Sequence, residues 1–309
     1  MKHRLLVSLV IAAASGSLCS LMLMRLDIGA GDFNYALHEG RDLLAGKDPY
    51  TYYHGEPSYP LYAAIIGIPF VWTGAPPAIA AGLFFGLSTG LLALGLTRHS
   101  YTRLLVLLAY PYWAAMLTAQ WSPLLMAAAF YSWLLPVTLA KPQIGMPIAL
   151  TNLSKRGVLA CITMVVLSVI LMPGWLWRWL PTASRHEHFV PLLVLPGPAL
   201  LLALWKLRDS DSHLLLLAAA APQRWFYDAF ILWLIPKDRE EIVTTVCLSW
   251  VAGIWRWYHM PHSYAQVALW QILWMYLPML TVILLRGREV MQKTYLAAGA
   301  SDVRQTVQT

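Results

Sequence analysis

Charge is scarce in this chain. Only 12% of its 309 residues are Asp, Glu, Lys or Arg, 15 of them acidic, against 59% hydrophobic residues and a mean hydropathy of +0.57. A soluble globule carries about 25% charged residues, so a water-facing exterior for the whole chain is excluded. Cysteine is rarer still: Cys19, Cys161 and Cys247 stand apart inside apolar runs, which leaves neither a disulfide framework nor a CxxC metal site. The deficit of acid gives a formal charge of +7, but the Lys and Arg fall in short clusters between apolar runs, as juxtamembrane anchors do. Nucleic acid is therefore not an expected partner. What remains is an all-α, polytopic integral membrane protein.

Leu5 to Met24 is a 20-residue run without charge behind a basic start, long enough to cross the hydrocarbon as a retained first helix with its N-terminus in the cytoplasm. The first outer loop, 25–58, then holds the richest polar stretch of the chain. Asp32 stands as an N-cap and Gly46 as the stop of a juxtamembrane helix from Phe33 to Ala45. Phe33, Tyr35, Tyr50, Tyr52, Tyr53 and Tyr59 lie among Asp32, Glu39, Asp42, Asp48 and Glu56. Such a loop beside a membrane is a candidate reaction site.

Beyond it, Pro60–Trp72, Ala78–Leu96, Leu104–Thr118, Leu124–Leu139, Val158–Met172, Leu192–Trp205, Val243–Tyr258 and Tyr264–Leu285 read as spans, with shorter segments bringing the total to about 10 to 12. Gly82, Gly86 and Gly90 form one stripe for close helix contact. The expected organisation is a single transmembrane domain, 1–286, and a polar cytoplasmic tail, 287–309. Counted from a cytoplasmic N-terminus, Lys141, 224–228 and 259–262 fall on the outer side with Asp32. The same count puts Arg98 and Arg103 outside, against the positive-inside tendency.

Several polar residues have two readings. Lys141, between apolar stretches, needs an anionic partner or must snorkel to the interface. Arg224 and Asp228, at i and i+4 in a broken segment, are placed to pair with each other. Trp175, Trp177 and Trp179 with Arg178, Arg185, His186 and His188 read as an interfacial belt, its histidines solvated rather than metal ligands. Asp209-Ser210-Asp211 spells the D-x-D with which many nucleotide-sugar enzymes hold a metal, in a short cytoplasmic loop.

Gly31-Asp32-Phe33, Leu43-Leu44-Ala45-Gly46-Lys47-Asp48-Pro49-Tyr50 and Tyr59-Pro60-Leu61 resemble the start of the polyprenyl-phosphate-mannose-dependent α-mannosyltransferase-like family, glycosyltransferase family 87 of the GT-C superfamily. Ala119-Gln120-Trp121-Ser122 is similar to its G-Q-x-N element, Lys141-Pro142-Gln143 to its K-P-Q element, and Ala221-Pro222 with Trp225 to its S-P-x-x-W element. The chain departs from the family in Ala119, where glycine is usual, and in Tyr227 and Asp228, where many members carry histidines.

The resemblance implies a GT-C-like fold and an inverting hexosyltransferase that moves a sugar such as mannose from a polyprenyl-phosphate donor to a hydroxyl of a glycan, glycolipid or protein. The reaction would take place at the outer face of a bacterial inner membrane, without metal or cofactor. Asp32 would be the base, Lys141 and Arg224 the cations for the donor phosphate. Tyr50, Tyr59, Gln120, Gln143, Trp225, Tyr227 and Asp228 would contact sugar or acceptor. A flippase for lipid-linked glycans would need similar cavities and charges but is commonly built of repeated halves, and neither the loop nor K-P-Q recurs here. An inactive scaffold subunit is the third reading.

Overall fold

The computed structural model describes residues 2–52, 59–183, 187–259 and 263–286. Tyr53, Glu56, Arg185, His186, the 260–262 stretch and the expected tail 287–309 lie outside the described residues. Regular structure among the described residues is helical. The helices are α1 (Lys2–Leu26), α2 (Phe33–Leu44), α3 (Pro49–Tyr52), α4 (Leu61–Trp72), α5 (Pro77–Leu96), α6 (Tyr110–Leu117) and α7 (Ser122–Ala128). They continue as α8 (Pro142–Thr151), α9 (Lys155–Leu171), α10 (Trp175–Ala183), α11 (Ser210–Ala220), α12 (Arg239–Tyr258) and α13 (Tyr264–Arg286). Tight 3₁₀ stretches join them at Tyr101–Leu108, Ser132–Ala140, Gly197–Lys206 and Phe226–Leu234.

Among the described residues α1, α5 and α13 are each long and apolar enough to cross a membrane, and α9 with α10, bent by 102°, makes a fourth span if the pair is taken as one. Two other stretches expected as whole spans are built from pieces. Leu104–Thr118 is the end of a 3₁₀ stretch followed by α6, and Leu124–Leu139 is α7 followed by another 3₁₀ stretch. Proline is the cause: Pro111, Pro123 and Pro142 each stand in the first turn of a helix, where the missing N–H costs nothing, and a preceding helix cannot run through them.

The glycine stripe of α5 packs against α1 as expected. A Cβ on Gly82 would meet Ser20 Oγ at 1.8 Å, and one on Gly86 would meet Ala12 O at 2.6 Å and Gly16 Cα at 3.0 Å. Because Gly86 faces main chain, Gly86→Val is expected to destabilise the protein by about 3 kcal/mol or more. Leu83→Val, on the exposed side of the same helix, should stay within about 0.5 kcal/mol of wild type. Thermal unfolding of the two detergent-solubilised variants against wild type checks this, and equal midpoints would remove the stripe as a packing device.

The pair runs antiparallel. Arg4 Nη2 donates to Leu94 O at 2.8 Å, and His3 Nδ1 lies 3.0 Å from Tyr101 OH. α5 therefore ends where α1 begins. The reason is α4, which folds back along α2, with Gly67 against Ala36 O and Gly40 against Ala64 O, and does not run to the end of the bundle where α1 begins. This takes one segment out of the count, while the turn at 129–131, where Phe130 O accepts from Arg98 Nη1 at 2.6 Å, splits Leu124–Leu139 into two passes and keeps Lys141 at the Asp32 end. Arg98 and Arg103 lie at the end of the bundle that holds the start of α1, not at the Asp32 end.

The same end collects Asp211, Lys237, Glu241 and Arg286. Arg103 Nη2 and Lys237 Nζ both donate to Leu234 O, at 3.3 and 2.6 Å. Asp209 caps α11, accepting from Asp211 N at 2.9 Å, while Asp211 pairs with Lys237 at 3.0 Å and Arg286 at 2.6 Å. The D-x-D triplet is thus a helix cap and an ion-pair residue, and among the described residues no three His, Cys, Asp or Glu side chains gather as a metal-ligating group.

Candidate functional site

Two short turns bring the first loop onto the middle of the chain. Gly31 has φ +56°, and a Cβ there would lie 2.5 Å from Thr118 O, so only glycine fits. Asp32 N then donates to Thr118 O at 2.9 Å. Across that contact Ala119 has φ +50°, a left-handed conformation that glycine adopts without strain, and it aims Gln120 at Asp32. At the far end of α2, Gly46, with φ +68°, stops the helix as expected.

Asp32 occupies the cap position of α2, but its carboxylate makes no capping bond. Its Oδ2 instead accepts from Gln120 Nε2 and from Tyr59 OH, the latter at 3.4 Å. Gln120, fully buried, passes the contact on: its Oε1 accepts from Lys141 Nζ at 3.0 Å. Lys141 Nζ also pairs with Asp228 Oδ1 at 3.0 Å and lies 4.8 Å over the Tyr227 ring. Lys141 is 3% exposed, so its charge is balanced by a partner and not by snorkelling.

The expected Arg224–Asp228 side-chain pair is corrected. Asp228 Oδ2 accepts from the main-chain N of Arg224 at 2.9 Å, and the carboxylate's ion partner is Lys141. The Arg224 guanidinium is left to hydrogen-bond Tyr264 and to face a cavity. Ser122 Oγ, donating to Tyr227 O at 2.9 Å, ties the turn after Gln120 to this segment.

The cavity, about 230 Å³, is lined by Asp32, Tyr59, Lys141, Gln143 and Arg224. Gln120, Tyr227 and Asp228 are buried behind that lining and hold it in place. Tyr50 and Trp225 do not reach it. Tyr50 is buried, its OH donating to Tyr59 O at 3.3 Å and its ring 6.4 Å from that of Trp175. Trp225 lies 5.5 Å under the Arg256 guanidinium. Tyr50 thus supports the wall through Tyr59, and the Trp225 ring packs away from it.

Trp179 and His188 do line the cavity, although the first is expected in an interfacial belt and the second in solvent. Trp179 arrives through the bend between α9 and α10, and His188 through the bridge in which Phe189 and Gln223 exchange main-chain hydrogen bonds at 2.9 and 2.7 Å. The bend has a local cause, Pro173-Gly174 with Gly174 at φ +73°, whereas the bridge joins residues remote in sequence and has none. His186, the other histidine of that belt, lies outside the described residues.

Glu39 was also missed. It is 1% exposed on α2, its Oε1 accepts from Tyr59 N at 3.1 Å, and its Oε2 has no partner among the described residues. Burial holds this carboxyl well above its usual range, an effect that the Tyr59 N–H offsets only in part. The folded state therefore holds the proton more tightly than the unfolded chain. Stability from this group is greatest below the unfolded value of about 4.5, falls as pH rises toward the native value, and is level beyond it. Glu39→Gln is expected to flatten that fall and to raise stability at neutral pH. Melting temperatures of both proteins across the acid-to-neutral range would check it, and parallel curves would clear Glu39 as the source.

The site holds two carboxylates, Asp32 and Asp228, and two cations, Lys141 and Arg224. Lys141 is neutralised by Asp228, whereas Arg224 has no carboxylate within 4 Å among the described residues. An anion entering the cavity would meet Arg224 as its main counter-charge. No protein-family profile, curated protein or solved structure matches this chain.

Proposed function

We propose that this protein is a GT-C-like membrane glycosyltransferase resembling family 87, which moves a hexose such as mannose from a polyprenyl-phosphate donor to an acceptor hydroxyl with inversion. The observation that carries the reading is the convergence of the Asp32 carboxylate with Arg224 and Lys141 on one cavity. Both hydrogen bonds that Asp32 receives run to Oδ2, which leaves Oδ1 for the acceptor hydroxyl. The acceptor oxygen attacks the anomeric carbon, its proton passes to Asp32, and the bond from that carbon to the phosphate oxygen breaks. The leaving phosphate gains negative charge beside Arg224, whose guanidinium suits bidentate contact with phosphate oxygens. Tyr59 and Trp179 supply aromatic faces at the cavity wall, and Gln143 a polar contact.

In this reading α7 and the Ser132–Ala140 stretch cross separately, and the helices and 3₁₀ stretches alternate in direction to give about 10 to 12 spans. α1 begins and α13 ends at the end of the bundle away from Asp32, as cytoplasmic termini and an outward-facing site of a bacterial inner membrane require. Purified protein incubated with a panel of polyprenyl-phosphate sugars is expected to transfer or release the sugar of one of them. No turnover with any donor, from protein that still binds the polyprenyl lipids, would overturn the proposal.

A further inference from the structure

The end of the bundle opposite Asp32 carries a second, smaller cavity of about 140 Å³, lined by Arg103, Asn152, Ser210, Asp211 and Lys237 among others. Arg103 is its unusual member. It is 7% exposed, its Nη2 donates to Leu234 O at 3.3 Å, and its Nε has no partner among the described residues. Nor does it have a carboxylate within 4 Å among the described residues. The acids nearby are already engaged, Asp211 by Lys237 and Arg286, and Glu241 by Arg286. Three cations thus share two carboxylates, and Arg103, the most deeply buried of them, has only a longer-range attraction to Asp211. A guanidinium in that position is costly unless an anion joins it.

The cavity has the features an anion needs. The 11-residue helix α11 begins on it, with Ser210 and Asp211 in the lining, its first turn already capped by Asp209, so the attraction for an anion comes from the cations and not from the helix end. Lys237 supplies a second cation, and both Asp211 oxygens are taken up by ion pairs instead of facing the cavity unpaired. The volume of about 140 Å³ accommodates a phosphate group.

We propose that this cavity is a phosphate-binding site, separate from the Asp32 cavity, in which Arg103 and Lys237 hold the oxygens of a phosphate group. Two sources present that chemistry at this end of a membrane protein: the headgroup of an anionic phospholipid and free inorganic phosphate. The inference does not rest on the transferase reading, because it concerns neither Asp32 nor the donor.

The test uses the full chain in phosphatidylcholine nanodiscs, with melting temperature read against rising inorganic phosphate at constant ionic strength, chloride replacing it. A parallel series replaces part of the phosphatidylcholine by phosphatidic acid without added phosphate. Wild type is expected to show a saturable rise in at least one series: in the lipid series if a headgroup fills the site, in the phosphate series alone if the free ion does.

Arg103→Met removes an unpaired buried charge, so it should fold and lose the effect, with the phosphate Kd raised about tenfold or more. Asn152→Asp leaves Arg103 in place but puts a carboxylate at the cavity wall, and should abolish the rise in the same way. No rise in either series for wild type would overturn the proposal. So would a rise unchanged in Arg103→Met or, should that variant not fold, in Asn152→Asp.

Discussion

Asp32→Asn is expected to lower sugar transfer by about 10²- to 10⁴-fold, the usual contribution of a positioned base, while the fold and donor binding are kept. The amide has the shape of the carboxylate and can still accept from Gln120 or Tyr59, so the contacts that seat α2 on the 118–120 turn survive. What is lost is the ability to take the acceptor's proton. The loss should fall on kcat, with the donor KM little changed, because Arg224 and not Asp32 faces the phosphate. A fully active Asp32→Asn protein would sink the assignment. A loss of donor binding in proportion to activity would show that Asp32 shapes the cavity and does no proton transfer.

Lys141→Met is expected to cost about 3 to 5 kcal/mol of stability, because it strands Asp228, a fully buried carboxylate, with one main-chain N–H. Changing both partners, Lys141→Met with Asp228→Asn, should recover much of that loss, since neither variant side chain then carries an uncompensated charge. A double-mutant cycle read by thermal or denaturant unfolding measures the coupling, and strictly additive effects would show that the pair contributes none. The pair also bears on function: with Lys141 committed to Asp228, the donor phosphate depends chiefly on Arg224. Arg224→Gln should accordingly raise the donor KM more than any other single change at the cavity wall.

Much of the local architecture is legible in the sequence because its causes are local. A charge-free run behind a basic start gives α1, the four-residue glycine spacing gives the face that α5 turns to α1, and Gly46 stops α2, all effects that act within a turn or two of the residues concerned. The gathering of Asp32, Lys141 and the 224–228 stretch at one end was also legible. The segment count reaches that placement of Lys141 only because two departures cancel, the fold-back of α4 on α2 and the turn at 129–131 within Leu124–Leu139.

The choice among partners was not legible, because it is a matter of distance between segments remote in sequence. Lys141 and Asp228 are 87 residues apart, and only packing makes them neighbours while the nearby Arg224 offers Asp228 its main chain alone. The fold-back of α4 on α2, set by Gly67 and Gly40 lying against main chain, decided which end Arg98 and Arg103 occupy. A bend and a two-residue bridge brought Trp179 and His188 to the cavity. Composition, proline and glycine positions and hydrophobic run lengths thus determined that the chain is helical and where it turns. Tertiary structure decided which charges neutralise one another, because the cost of a buried charge is removed only by the group that packing brings within hydrogen-bond reach.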